Sequence, residues 1–375
     1  MRIALIVPGG VDRGGRERVI PCLLALIERL ARKHRVVVFT LHQEEQPSEY
    51  ALLGAQVINP GEVHGKRRSL RWLIQLQKLI RALRSAGEFD VLHAFWVHSP
   101  GTLAVAAGIF LGVPVVVSIG GCELVSLPDL GYRIQQPLVR QVAVETVLHM
   151  ARAVSAGSAY ALHPLSEIRR DAVWLPLGAD ARLFCPSIQR SPDPPWRLLQ
   201  VADLNEVKDQ TTLLHAIRLV CDSGCQVQLD CFGVDTLEGR IQDLCRQLAL
   251  GDAVRFHGRV TLDQIVPFYS QAHLFIQSSR HESMGAAVLE AAASGLPTVG
   301  TNVGIAAEMA PPAAVTVPVA DPHALANAIV RTLNNPAQRE SLARAAQNFS
   351  RQYDADWTCA RLEALYFRVA RDHER

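Results

Sequence analysis

The feature that most constrains this chain is a repeated unit: a short β-branched run, a turn rich in Gly, Pro or Asn, then a stretch of helical periodicity. Strands are expected at Arg2–Val7, Val36–Leu41, Val91–Ala94, Val115–Ile119 and Val173–Leu175. A second series is expected at Leu198–Ala202, Val227–Phe232, Val254–His257, Leu274–Gln277 and Thr298–Thr301. Helical periodicity lies between them, as at Val19–Ala31, Leu213–Val220 and Ala286–Ala293. Strands alternating with helices imply parallel sheets covered on both faces, and the continuous apolar strands agree with that burial. The fold class is therefore α/β. A length of 375 residues suggests two domains of about 150 to 190 residues each.

A boundary is expected where Pro186, Pro192, Pro194 and Pro195 cluster, because such a stretch suits neither a central strand nor a helix interior. Residues 1–185 hold 21 Lys and Arg against 15 Asp and Glu, whereas residues 186–375 hold 17 against 21. The whole chain carries a formal charge of only +2, which gives no nucleic-acid signature. Eight cysteines without a CxxC pair are too sparse for a disulfide scaffold and point to reduced thiols in a cytoplasmic protein. No secretory signal is expected at the start of the chain. The longest apolar run, Thr102 to Ile119, is broken by Gly108, Gly112 and Pro114, so it reads as helix, turn and buried strand, not as a membrane span.

Much of the positive charge of the first half sits in Lys66, Arg67, Arg68, Arg71, Lys78, Arg81 and Arg84, interleaved with Leu70, Trp72, Leu73, Leu76, Leu79, Ile80 and Leu83. Such a basic amphipathic helix can lie on an anionic membrane surface, or it can cover a sheet and leave its polar face in solvent. Peripheral contact with the inner membrane face through residues 66–84 is therefore one expectation.

Two segments can carry chemistry. The first strand runs into Pro8-Gly9-Gly10-Val11-Asp12-Arg13-Gly14-Gly15-Arg16-Glu17 before a helix. Glycines at such a place let backbone N–H groups approach a phosphate, although an ordinary tight turn would look the same. The spacing fits neither GxGxxG nor a Walker loop. The second segment is Ser278-Ser279-Arg280-His281-Glu282-Ser283-Met284-Gly285-Ala286-Ala287-Val288-Leu289-Glu290, after a strand and opening a helix that stops at Gly295-Leu296-Pro297. Two carboxylates flanking a helix N-terminus suit a nucleotide sugar, with N–H groups for phosphate and carboxylates for hydroxyls. No histidine, cysteine or carboxylate set has metal-ligand spacing. Asp354-Ala355-Asp356, the only D-x-D, suits a helix cap.

This second segment resembles the E-x7-E signature of the retaining family-four glycosyltransferases (glycosyl transferases group 1), and the resemblance extends over nearly the whole chain. Gly14-Gly15-Arg16-Glu17 resembles the family's GGxE loop, and Asp90-Val91-Leu92-His93-Ala94 its DVIHAH strand. Leu175 to Phe184 resembles PNGVDxxxF, Val201 to Lys208 resembles VGRLxxxK, and Phe256-His257-Gly258-Arg259-Val260 resembles FxG. The resemblance implies a GT-B fold, in which two Rossmann-like domains face each other across a cleft. Its parts would be an acceptor domain at 1–185, a nucleotide-sugar domain at 186–355, and a terminal helix at 356–375 crossing back to the first domain.

It also implies a metal-independent transfer of sugar, with retention, to an acceptor hydroxyl, in polysaccharide or glycolipid synthesis. No cofactor would be required beyond the nucleotide-sugar co-substrate, of UDP or GDP type, and the acceptor would be a glycan or lipid-linked glycan. Lys208 and Glu282 would be catalytic, with Lys208 on the diphosphate and Glu282 on sugar hydroxyls. Gly14, Gly15, Gly258, Arg259, Val260, Arg280, Gly285, Ala286 and Ala287 would contact the donor, and Glu290 its ribose. His93, Gly120 and Glu123 would lie on the acceptor side.

The chain departs from the family pattern at three places. Asp203 stands where an arginine usually accompanies the lysine, with Arg280 and Arg259 as candidates to replace it. Gly120 stands where the family has a histidine, and Ser283-Met284 replaces the usual Gly-Phe. These departures leave open an alternative: a catalytically impaired relative that binds sugar nucleotides or a protein partner.

Overall fold

The structure, a computed structural model, describes residues 1–65, 68–125, 127–130, 138–186 and 190–373. The chain forms two compact units: Met1–Leu177 together with Ala355–Arg375, and Gly178–Asp354.

The first unit is built on an eight-stranded sheet. Its strands are β1 (Arg2–Val7), β2 (Arg35–Thr40), β3 (Ser48–Leu52), β4 (Ala55–Asn59), β5 (Val91–Phe95), β6 (Val115–Ile119), β7 (Ala153–Ala156) and β8 (Val173–Trp174). Their spatial order is β3-β4-β2-β1-β5-β6-β7-β8. All neighbours are parallel except β3, which pairs antiparallel with β4. The crossovers include α1 (Pro21–Ala31), α2 (Arg68–Ala86), α3 (Thr102–Leu111), α4 (Leu138–Met150) and α5 (Ala159–Ile168). Strand β1 shows why the strands are apolar at every position. Ala4 and Ile6 enter one core layer, while Ile3, Leu5 and Val7 enter the other, so both faces are buried.

The second unit holds six parallel strands: β9 (Trp196–Val201), β10 (Val227–Phe232), β11 (Val254–Gly258), β12 (Leu274–Gln277), β13 (Thr298–Thr301) and β14 (Ala314–Val317). Their order is β11-β10-β9-β12-β13-β14. They are joined and flanked by α6 (Gln210–Asp222), α7 (Arg240–Gln247), α8 (Leu262–Gln271), α9 (Ala286–Ala293), α10 (Gly304–Met309), α11 (Pro322–Leu333) and α12 (Pro336–Gln352). The last helix, α13 (Ala355–His373), returns to the first unit. There Leu362, Leu365, Tyr366 and Val369 join the same core layer as α1.

The longest apolar run divides as its glycines dictate. Helix α3 ends on Gly112, whose left-handed φ of 67° closes the helix before β6 begins. No helix among the described residues is long and apolar enough to cross a membrane. Helix α2 uses most of its apolar stripe internally: Leu79 and Leu83 are fully buried, and Trp72, Leu76 and Ile80 pack against them. Leu70 and Leu73 remain exposed. Lys78 donates to the carbonyls of Gly61 and Glu62, and the Arg84 guanidinium lies over Phe110. Lys66 and Arg67, and the side chain of Arg68, lie outside the described residues.

Candidate active site

Chain order in the second sheet reverses once, between β9 and β12: from this pair the strands run outward to β10 and β11 on one side and to β13 and β14 on the other. Open parallel sheets bind ligands in the crevice outside the carboxyl ends of the strands at such a reversal. The loop after β9 carries Lys208, and the loop after β12 carries Glu282. The Lys208 ammonium donates to Glu282 Oε1 at 2.6 Å, and the Ser279 hydroxyl donates to the same oxygen at 2.8 Å.

The two loops are stitched together by their backbones. Asn205 Oδ1 accepts from the N–H groups of Val207 and Lys208, each at 3.1 Å. The Ser278 hydroxyl donates to the Lys208 carbonyl at 2.8 Å, and Arg280 N–H donates to the Val207 carbonyl at 2.7 Å. This last bond brings Arg280 beside Lys208, with its guanidinium 3.9 Å from Asp209. Lysine has three donors and no acceptor. With one donor on Glu282, Lys208 has further N–H groups that a ligand could engage.

Gly285 opens α9 with φ 90°, a conformation that costs glycine little, and the free N–H groups of Ala286 and Ala287 follow in the first turn. Behind Glu282 the chain is tight: a Cβ on Gly304, whose φ is 60°, would lie 2.6 Å from Glu282 Cβ. Glu290, one turn into the same helix, is 6% exposed, and Tyr269 donates its hydroxyl to Glu290 Oε2 at 2.6 Å. Burial raises the Glu290 carboxyl from 4.5 to about 7, against the opposing pull of that hydrogen bond. A carboxylate poised in this way can exchange its tyrosine partner for a ligand hydroxyl.

The other expected site residues come from different segments of the chain. Gly258 ends the edge strand β11, which β10 separates from β9, and Arg259 and Val260 follow it. Arg259 is exposed there, and Gly258, with φ 66°, has open space where a Cβ would be. Gly14, Gly15, His93, Gly120 and Glu123 belong to the first unit. The Gly14 N–H is taken by Asp12 Oδ2 at 3.0 Å and the Gly15 N–H by the Asp12 carbonyl at 2.8 Å, so the loop closes on itself well before α1 starts at Pro21. His93 is fully buried, with Nδ1 2.6 Å from the Tyr366 hydroxyl and Nε2 2.8 Å from Ser118 Oγ. Burial lowers its pKa to about 3 and keeps the ring neutral. With both nitrogens engaged, His93 can influence a ligand only through what it positions. Glu123 turns its oxygens to three backbone N–H groups, those of Val97, Gly120 and Gly121.

Asp203, the charge reversal, is engaged within its own part of the sheet edge: its Oδ1 accepts the Val234 N–H at 2.7 Å and fastens the loop after β10. Tyr269 had no sequence signal, because an aromatic residue on a helix reads as ordinary core. Gly304 could have been suspected only as a glycine in a turn.

Two family profiles divide the chain much as the structure does. "Glycosyl transferase 4-like domain" matches residues 19–178, and "Glycosyl transferases group 1" matches residues 185–349. The chain belongs to the group 1 glycosyltransferases. Among curated relatives, it is 26% identical to a D-inositol 3-phosphate glycosyltransferase of Corynebacterium urealyticum, over 95% of this chain and 82% of the relative. It is 28% identical to an MMP alpha-(1->4)-mannosyltransferase of Mycolicibacterium hassiacum, over 76% and 72%. Its fold matches sucrose-phosphate synthase of Thermosynechococcus elongatus with a TM-score of 0.82 at 20% identity, covering 98% and 99% of the two chains. Anabaena HepE, solved with UDP and glucose, matches with a TM-score of 0.72 at 17% identity, covering 96% and 98%. These likenesses make the fold GT-B and the protein a glycosyltransferase.

Proposed function

We propose that this glycosyltransferase moves a sugar, with retention, from a UDP- or GDP-type nucleotide sugar to an acceptor hydroxyl of a glycan or lipid-linked glycan, without a metal ion. The reading is carried by the Lys208–Glu282 pair at the reversal point of the second sheet, with Arg280 alongside and the start of α9 behind. Lys208, Arg280 and the amides of Gly285, Ala286 and Ala287 would face the diphosphate and stabilise the charge that develops as it leaves. Glu282, released from Lys208 as the phosphate arrives, would accept from sugar hydroxyls, and Glu290 from the ribose.

The bond from the anomeric carbon to the phosphate oxygen breaks as the acceptor oxygen bonds on the same face. The acceptor proton passes to the departing phosphate oxygen, so no protein carboxylate has to act as nucleophile. Supporting this donor reading, HepE was crystallised with UDP-glucose.

A thermal-shift panel of UDP-, GDP- and ADP-sugars tests the proposal, because a ligand that binds only the folded state raises Tm. One UDP- or GDP-sugar should stabilise the wild type, and Lys208→Ala should lose most of that shift. Retained wild-type transfer in both Lys208→Ala and Glu282→Ala would refute the site. A donor-induced shift with no transfer to any acceptor would identify a binding protein instead, and EDTA-sensitive transfer would refute metal independence.

A further inference from the structure

Chain order in the first sheet also reverses, between β1 and β5. Trp96 is the residue that follows β5, at the carboxyl edge of that reversal. Its backbone takes φ 70° and ψ 136°, a left-handed conformation that bulky residues avoid. Such strain persists where the surroundings over-determine it, and it gathers at functional sites.

The surroundings are specific. Trp96 N–H donates to the Ser118 carbonyl and its own carbonyl accepts from Gly101, both at 2.9 Å. The Glu123 carboxylate, 6% exposed, accepts from Val97 N–H at 3.2 Å, Gly120 N–H at 3.4 Å and Gly121 N–H at 2.6 Å. One buried carboxylate therefore ties the residue after Trp96 to the two glycines on which the indole rests. A Cβ on Gly120 would lie 2.8 Å from Trp96 Nε1 and 2.9 Å from Cε2, so only glycine leaves the ring its place. The indole is half-buried, and none of the described residues accepts a hydrogen bond from its Nε1–H.

We propose that Trp96 is a substrate-contacting residue on the acceptor side. Its ring receives the C–H face of a neutral pyranose or cyclitol, and its Nε1–H donates to one of that ring's hydroxyls. This rests on the sugar-transfer reading above and adds the class of ring recognised. An indole combines an apolar face with one polar edge, and a sugar ring offers both an apolar C–H face and hydroxyl acceptors. The Gly120 departure from the family pattern then has a structural counterpart: the indole fills the volume over Gly120, and a side chain at 120 would exclude it. Glu123 acts as a positioning residue that holds both loops.

The test uses myo-inositol and methyl α-D-glucopyranoside as probes. Their affinities are measured by saturation-transfer NMR on the full chain, for the wild type, Trp96→Phe and Gly120→Ala. Tryptophan emission and the nucleotide-sugar thermal shift are recorded on the same samples. Trp96→Phe keeps an aromatic face but removes the N–H, and Gly120→Ala displaces the indole without altering it. At least one probe should bind the wild type and change its emission. Its affinity should fall about tenfold or more in both variants, with the nucleotide-sugar shift unchanged. Failure of both probes to bind the wild type, or wild-type affinity in Trp96→Phe, overturns the assignment. Loss of the nucleotide-sugar shift in the wild type would strike the donor reading instead, independently of the probe result.

Discussion

Replacing Glu290 by glutamine should remove a pH-dependent weakness from the second unit. Glu290 is buried, and burial raises its carboxyl from 4.5 to about 7 in the folded protein. Between these values the folded state keeps a proton that the unfolded state has lost. The stabilisation this gives is complete below pH 4.5 and disappears as pH rises through about 7. Each pH unit of difference corresponds to about 1.4 kcal/mol, so the wild type should lose about 3 kcal/mol across the window relative to a residue that does not titrate. Glutamine is isosteric and still accepts the Tyr269 hydroxyl.

The Glu290→Gln variant should therefore match the wild type near pH 4.5 and exceed it by up to about 3 kcal/mol at pH 8. In a unit of this size that amounts to about 6–12 °C in its transition. Calorimetry at several pH values, read as the difference between variant and wild type, cancels the titration of every other group. A difference that stays constant with pH, or that grows toward acid, would refute the account of Glu290 as a carboxylate strained by burial. Tyr269→Phe supplies the converse: it removes the bond that holds the carboxyl down, so the window should extend to higher pH.

Three further outcomes are expected. Gly304→Ala should lower stability by about 1–3 kcal/mol, because the new Cβ meets Glu282 at a left-handed φ; an unchanged denaturation midpoint would contradict this. Asp203→Arg, which restores the arginine of the family pattern, should cost about 0.5–1.5 kcal/mol by removing the bond to the Val234 N–H and should not tighten donor binding; isothermal titration giving higher donor affinity would reject the role assigned to Asp203. If residues 66–84 touch a membrane, the wild type should co-sediment with anionic vesicles at low salt, and Leu73→Asp with Arg81→Glu should abolish it; sedimentation indifferent to anionic lipid would rule that contact out.

The alternation of apolar runs and helical stretches was legible because a parallel strand buried on both faces cannot hide its composition. Arg2–Val7, Val115–Ile119, Val227–Phe232, Leu274–Gln277 and Thr298–Thr301 form as expected to the residue. The hairpin of β3 and β4 carries no clear signal in the sequence, since Ser48–Leu52 is a half-exposed edge strand with mixed polarity. Strand β7 is equally silent, because Ala153–Ala156 is four small residues with little β signal.

The sequence by itself determined the class of fold and the presence of the residues Lys208, Glu282 and Glu290, because residue type and spacing along the chain are local properties. Only the tertiary structure decided which of those residues meet. The Lys208–Glu282 pair spans 74 positions, and it exists because β9 and β12 are neighbours at the place where chain order reverses. Strand order is settled by which faces can be buried together, and no local pattern encodes it. The same holds for Trp96 and Gly120, whose shared volume appears only once β5 and β6 lie side by side. It holds equally for Glu290, whose altered acidity comes from burial against Tyr269 on another helix.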